Sequence, residues 1–273
     1  MWDPAQYQRY SQERSRPFFD LLARVAATSP RVVADLGCGP GDLTAALAER
    51  WPDADVVGVD NSPQMLEAAE ATLAAFRSRP ERRAAGAGAL TFRHGDVRDF
   101  APERAPDVIF CNAVLQWVPG HGALLPRWAG TLSPGGWLAL QVPGNFDQPS
   151  HRILRELAGS ARWGEALAAA AVTRQAADPA DYLELLARAG CEVDAWETTY
   201  LHVLHGDDPV LEWYKGSGLR PVIDALAPEQ AAEFLSEYAR RLRIAYPARR
   251  YGTVLPFRRV FAVARSPGTH PQP

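Results

Sequence analysis

Residues 32–44 read VVADLGCGPGDLT, an apolar run that ends on an acid and then breaks into three glycines. That order describes a buried strand meeting a tight turn and then a helix. Such a turn needs backbone conformations that a side chain obstructs, so Gly37, Gly39 and Gly41 are the residues that permit it. Their spacing is G-x-G-x-G, and Asp42 stands where a dinucleotide fingerprint, G-x-G-x-x-G, needs its third glycine. A pyrophosphate ligand is therefore disfavoured. Asp35 precedes the first glycine by two residues, at the carboxyl end of the strand, where open parallel sheets place their ligands. Its charge repels a pyrophosphate and suits a ligand that carries an amine or a sulfonium.

The next segments extend the pattern. ADVVGVD at 54–60 reads as a second buried strand ending on Asp60. An acid at the tip of the second strand, about twenty residues past the glycines, is placed to take both hydroxyls of a ribose with one carboxylate. Asn61 and Ser62 offer caps for a helix from Pro63 toward Arg77. The charged and glycine-rich stretch from Arg77 to Gly88 reads as an exposed loop. After a short strand at Leu90–Phe92, Asp96 can accept from an exocyclic adenine amine, and Val97 offers the ring an apolar edge. PDVIFCNAVLQWV from Pro106 is a fourth strand running into a helical turn that begins near Asn112.

Farther on, LSPGGWLALQVPGNF makes a turn and a fifth strand, residues 149–190 read as helices, and CEVDAWETTYLHVL at 191–204 alternates as a sixth strand. Helical pattern returns between 207 and 250, and TVLPFRRVFAVAR at 253–265 forms a last strand. The predicted fold is α/β: a doubly wound, Rossmann-like, seven-stranded sheet with an antiparallel last strand, plus helical additions forming a substrate cap. One domain is expected over 1–265, comprising N-terminal helices or lid at 1–30 and a cofactor-binding half at 31–142. Substrate-side additions at 143–190 and 205–252 and the strand at 253–265 complete it, with a disordered tail at 266–273.

Composition narrows the function. A chain of 273 residues with formal net charge −3 lacks the basic footprint of a nucleic-acid binder. Of its 29 lysines and arginines only Lys215 is lysine, so arginine is the cation available for recognising carboxylates. Cys38, Cys111 and Cys191 read as small buried hydrophobes in a reducing compartment, and no Cys or His spacing suits a metal. The polar amino-terminal stretch has no apolar signal core, and no segment approaches the roughly 20 apolar residues of a membrane span. The expectation is a cytoplasmic protein, favoured as a monomer, with no nucleic-acid or membrane partner.

The D-x-G-x-G-x-G turn resembles the cofactor loop of class I S-adenosylmethionine-dependent methyltransferases. Stretches along nearly the whole chain are similar to one family among these, the trans-aconitate 2-methyltransferases: WDPAQY, ERSRP, VADLGCGPG, NSPQM, FCNAVLQWVP, LALQVPGNF, GCEVDAWETTYLH, SGLRP and PFRRVFAVA. The resemblance implies S-adenosylmethionine as cofactor, with S-adenosylhomocysteine as product, and monomethyl esterification of a small polycarboxylate. In that family the end of the fourth strand faces the transferred methyl. Cofactor candidates are therefore Asp35, Gly37, Cys38, Gly39, Gly41, Asp60, Asn61, Met65, Asp96, Val97, Asn112, Leu115, Gln116 and Trp117. For the substrate the candidates are Tyr10, Arg14, Trp117, Arg220 and Tyr246. Pro221 disfavours helix at Arg220, which is expected to project from an irregular segment.

No side chain is set up as a general base, and none is required. A carboxylate is already ionised at neutral pH, so the protein's task is positioning. Rival readings are a methyltransferase directed at nitrogen, phenol or carbon, a nucleotide-dependent oxidoreductase, and a non-catalytic binder of the same cofactor. The first should lack a cationic pocket, the second lacks its third glycine, and the third predicts binding without turnover.

Overall fold

The structure, a computed structural model, describes residues 11–80, 87–168, 176–216 and 218–268. Seven strands form one sheet in the order β3-β2-β1-β4-β5-β7-β6. They are β1 (Val32–Leu36), β2 (Asp55–Asp60), β3 (Leu90–His94), β4 (Val108–Asn112), β5 (Trp137–Pro143), β6 (Glu192–Leu204) and β7 (Thr253–Arg265). The first five are parallel, with Asp35 opposite Gly58 on one side and Phe110 on the other. β7 runs antiparallel. Accordingly Ser266, past the end of β7, donates to Gly136 before β5, while Gly144, past β5, donates to Arg258 within β7.

The helices α1 (Ser11–Leu22), α2 (Asp42–Arg50), α3 (Pro63–Arg77), α4 (Leu124–Ala129) and α7 (Pro179–Arg188) accompany this sheet, and α5 (Pro149–Ala158), α6 (Gly164–Leu167), α8 (Pro209–Lys215), α9 (Arg220–Ala225) and α10 (Pro228–Ala245) are the additions. Local chemistry explains the ends. Gly41, at φ 84°, caps α2 in a left-handed conformation, and Asp42 and Arg50 place acid and base at the helix ends that favour them. Ser62 accepts from the Met65 N–H, and Pro63 fills a first-turn position that needs no donor.

Contacts divide the chain into two compact units. One comprises Pro17–Val142, Ala176–Glu197 and the chain from Val260 on. Its core runs through Leu36, Ile109, Leu115, Trp128, Leu140, Tyr182 and Val260. The other comprises the stretch ending at Arg16, Pro143–Gln175 and Thr198–Arg259. It packs around Trp163, Leu204, Trp213, Phe234, Tyr238 and Phe257.

All three cysteines are buried and free, as their apolar settings imply. Arg220 departs from the expectation: it opens α9, with Pro221 as the following residue of that helix. The first turn of a helix tolerates proline because its N–H groups have no intrahelical acceptor, and that tolerance outweighs the bias against helix before a proline. Tyr10 and the tail from residue 269 lie outside the described residues, as does most of the loop expected between Arg77 and Gly88. Arg14 lies in α1, but its side chain, like that of Arg220, is outside the described set.

Candidate active site

The strand order reverses between β1 and β4, and the glycine turn leaves the sheet there. Gly37, Gly39 and Gly41 all hold positive φ, between 55° and 84°. A Cβ on Gly37 would stand 2.1 Å from the Val114 side chain, whereas one on Gly39 would meet nothing within 4 Å. The first glycine thus lets two loops approach, and the second faces open space. The N–H groups of Gly37 and Cys38 both bond to the Val59 carbonyl, at 2.7 and 3.1 Å, which ties the turn to the end of β2.

Asp60 completes that tie. Its Oδ2 accepts from the Gly39 N–H at 2.9 Å and its Oδ1 from the Ser62 N–H at 2.9 Å. Each carboxylate oxygen can accept more than one donor, so both retain capacity for a ligand's hydroxyls. Asn61 reaches from the same tip to Asp96 at 3.5 Å. Asp96 caps the 3-10 turn Val97–Asp99 and is forked by Arg98, through Nε at 2.9 Å and Nη2 at 2.7 Å. Those bonds from Arg98 hold the Asp96 carboxyl well below its usual range. Val97 is buried in the core of the unit.

Asp35 is 4% exposed and accepts from the Thr44 hydroxyl at 2.6 Å. Burial pushes its pKa up to about 7, the Thr44 bond opposes that, and the Asp60 charge adds to it. Burial also pushes the Cys38 thiol up, helped by Asp35 and Asp60, so Cys38 is no nucleophile.

β4 ends at Asn112, and Ala113 then takes φ 58°, a left-handed conformation that costs an L-residue about 1–2 kcal/mol. Its peptide is held on both sides: Ala113 N–H donates to Gln141 O at 2.8 Å, and Gln116 Nε2 donates to Ala113 O at 2.6 Å. Leu115 and Gln116 are buried, while Trp117 is 43% exposed. Asn112 Oδ1 and Gln116 Oε1 are buried acceptors with no hydrogen-bond partner among the described residues. Left so, each costs about 1–3 kcal/mol, so this strand end suits a ligand that brings donors or positive charge. Strain and orphaned acceptors at one strand end are features that functional sites concentrate.

Tyr246, the described member of the substrate set apart from Trp117, belongs to the other unit. Its hydroxyl lies 3.1 Å from Ser150 N and 3.2 Å from Ser150 Oγ, within a buried group that includes Tyr214 and Tyr238. Thr44, Arg98 and Ala113 were not singled out from sequence, and Ser62 was read only as a helix cap. Thr44 lies inside the decisive stretch, and its signal was a hydroxyl in the first turn of α2, able to reach back to the strand acid.

A separate cleft of about 660 Å³, lined by Arg24, Asp107, Ser133, Trp137, Asp194 and Arg265, lies at the amino ends of β1, β4 and β5. Two of its acids are engaged. Asp107 accepts from Arg31 N, Val32 N and Ser133 Oγ, and Asp194 pairs with Arg24 at 2.7 Å.

A seven-stranded sheet of this order, carrying a glycine turn that an acid ties to the second strand, defines the Rossmann-like methyltransferase class. The methyltransferase-domain family matches residues 33–136. Magnesium protoporphyrin IX methyltransferase from Synechocystis, solved with bound SAH, superposes with a TM-score of 0.54 at 16% identity, over 96% of this chain and 86% of that one. Sequence relatives are much nearer. A trans-aconitate 2-methyltransferase from Streptomyces avermitilis is 54% identical over 266 residues, 96% of each chain. One from Rhodococcus jostii is 51% identical over 268 residues, 97% of this chain and 99% of that one. The chain belongs to the trans-aconitate 2-methyltransferase family.

Proposed function

We propose that this protein transfers a methyl group from S-adenosylmethionine to one carboxylate of trans-aconitate or a closely similar small polycarboxylate. The observation that carries the cofactor half is the Asp60 carboxylate, which binds the glycine turn with one oxygen and the start of α3 with the other, both with capacity left. The acid half rests on likeness along nearly the full chain to relatives named for trans-aconitate.

The described residues fit the cofactor. Asp60 would hold the ribose hydroxyls, and Asp96, oriented by Arg98, would take the adenine amine, with Val97 as an apolar edge for the ring. Asp35 would meet the positive end of the methionine part, and the open side of Gly39 would admit it against main chain. The unpartnered acceptor oxygens of Asn112 and Gln116 would suit the same positive charge, and Cys38, Asn61, Met65, Leu115 and Trp117 would complete the contact set. When bound, S-adenosylmethionine supplies an electrophilic methyl group. No residue need remove a proton, because the accepting carboxylate is already an anion. Alignment of the two reactants can lower the barrier by about 7–11 kcal/mol, and that is the work assigned to these residues.

To the acid we assign Tyr10 and Arg14 from the amino-terminal segment, Arg220 and Tyr246 from the additions, and Trp117 from the turn after β4. The protein acts as a cytoplasmic monomer on a free small molecule. Incubation with methyl-labelled S-adenosylmethionine and a panel of polycarboxylates tests the whole reading. Label is expected in a base-labile ester of trans-aconitate. Label in an amine, a phenol or a carbon acid instead, or binding without turnover of any acid, would overturn it.

A further inference from the structure

Within the unit that contains Thr198–Arg259, alternate residues of β6 and β7 line one buried face: Tyr200, His202 and Leu204 on the first, Leu255, Phe257 and Arg259 on the second. His202 and Arg259 interrupt an otherwise aromatic and aliphatic surface. The His202 ring stacks on Trp213 at 4.8 Å and on Tyr200 at 6.2 Å, and lies 6.0 Å from Phe257. The Arg259 guanidinium lies over Phe257 at 4.6 Å, and that of Arg16 over Tyr200 at 5.0 Å. Two arginines therefore stand at the two ends of one run of aromatic contacts, stacked from Tyr200 to Trp213 and tilted at Phe257. Arg259 is only 6% exposed, while Arg16 is exposed.

Beside this run lies a set of neutral donors. The Tyr214 hydroxyl is 2.8 Å from Ser150 Oγ, 3.1 Å from Asn145 Nδ2 and 3.4 Å from His151 Nδ1. Asn145 is 1% exposed, and its Oδ1 has no hydrogen-bond partner among the described residues. Turning that amide over lets Oδ1 accept from the tyrosine hydroxyl and frees Nδ2 to donate elsewhere. The charge of Arg259 is felt at both Tyr214 and His202. Burial, Arg259 and Arg16 together hold His202 at about 4, so this imidazole is neutral at physiological pH.

A buried guanidinium beside neutral donors is the chemistry that holds a carboxylate, because arginine offers a planar fork that matches two oxygens. We propose that Arg259 and the Asn145 amide, which the Tyr214 hydroxyl orients, bind one carboxylate of the acceptor acid, and that Arg16 binds a second. A tricarboxylate is left with one carboxylate free to be methylated, so two arginines set the preference for three charges over two. This assignment rests on the proposed reading of the protein as a polycarboxylate methyltransferase, and it names the residues that make it selective.

The test uses the full chain with trans-aconitate, itaconate and glutaconate, the two dicarboxylates each lacking a different one of the three carboxylates. Arg259→Gln is expected to raise KM for trans-aconitate about 30-fold or more, since the facing carboxylate loses its buried partner. KM for S-adenosylmethionine should hold, and the preference for trans-aconitate over one of the two dicarboxylates should collapse. Arg259→Lys should recover part of the loss, and Tyr214→Phe should raise KM for trans-aconitate several-fold. An unchanged KM in Arg259→Gln overturns the assignment, as does an equal loss on all three acids with a lowered melting temperature, the mark of a structural role. Should Arg259→Gln not fold, Arg259→Lys and Tyr214→Phe decide, and wild-type KM values in both overturn it. A wild-type enzyme that methylates none of the acids removes the functional reading and this assignment with it. Activity on trans-aconitate with indifferent Arg259 variants removes the assignment alone.

Discussion

Gly39 donates its backbone N–H to Asp60 Oδ2 at 2.9 Å, so the middle of the glycine turn and the tip of the second strand are one bonded unit. Asp60 thus orders the loop, and its oxygens keep capacity for further donors. Asp60→Ala should weaken S-adenosylmethionine binding by at least about tenfold, because charge-assisted hydrogen bonds contribute about 1.5–3 kcal/mol each. The fold should persist. Unchanged affinity by calorimetry removes Asp60 from the site.

Two glycines of the turn should behave differently. Gly37→Ala introduces both an unfavourable φ and a collision with Val114, whereas Gly39→Ala introduces only the former. Gly39→Ala should cost about 1–2 kcal/mol of stability and yet abolish cofactor binding. Gly37→Ala should cost more, and Val114→Ala should recover part of that difference. Chemical denaturation of the single and double variants measures both. Cofactor binding that survives in Gly39→Ala shows that the open side of that glycine is not where the ligand lies.

The pKa of Asp35, pushed up to about 7 by burial, couples the site to pH. A carboxyl raised on folding keeps its proton longer in the folded state. Its contribution to stability is full below the ordinary carboxylate range and is lost as pH rises toward 7, by about 4 kcal/mol at most. The ligand-free protein should therefore lose stability between about pH 4 and 7, and Asp35→Asn should remove that slope. Affinity for the positively charged cofactor should rise as pH passes upward through about 7 in the wild type and stay level in Asp35→Asn. Thermal melts and calorimetry across pH give both answers, and a wild-type affinity without pH dependence counts against Asp35 meeting a cation.

Turnover at saturating cofactor should vary little between about pH 6 and 8, because the accepting carboxylate is ionised throughout. His202 is held at about 4, and burial raises the phenols of Tyr214 and Tyr238. A steep rise in kcat that follows one protein group would show that the acceptor is protonated and the chemistry misassigned.

Arg220→Ala should lower kcat/KM for trans-aconitate by about 30-fold or more while cofactor affinity holds, with lysine as a partial substitute. Its place as the opening residue of α9 makes the substitution mild for the backbone. Full activity in the variant, or joint loss of cofactor and acid binding, would exclude Arg220 from the acid-binding group.

The cofactor half was legible because its signals are local. A glycine that must hold positive φ, an acid that must end a strand and a serine that must cap a helix are each decided within a few residues. The bounds of β7, of α3 and of α2 follow from alternation and capping in the same way. Arg220 was misread for a local reason too, since the rule against helix before proline competes with the tolerance of a first turn. The proposed acid-binding group was not legible. In FRRVF two arginines stand side by side, and only the pairing of β7 in the sheet decides that Arg259 turns inward beside Phe257 while Arg258 stays half-buried. Tyr214, Ser150 and Asn145 are more than sixty residues apart at the extremes and converge only when the additions pack. The sequence by itself determined the class of fold and the acids that end its strands, because those depend on backbone geometry and short-range capping. Which cation is buried, and which hydroxyls and amides surround it, was decided by tertiary packing, because burial is a property of the whole folded chain.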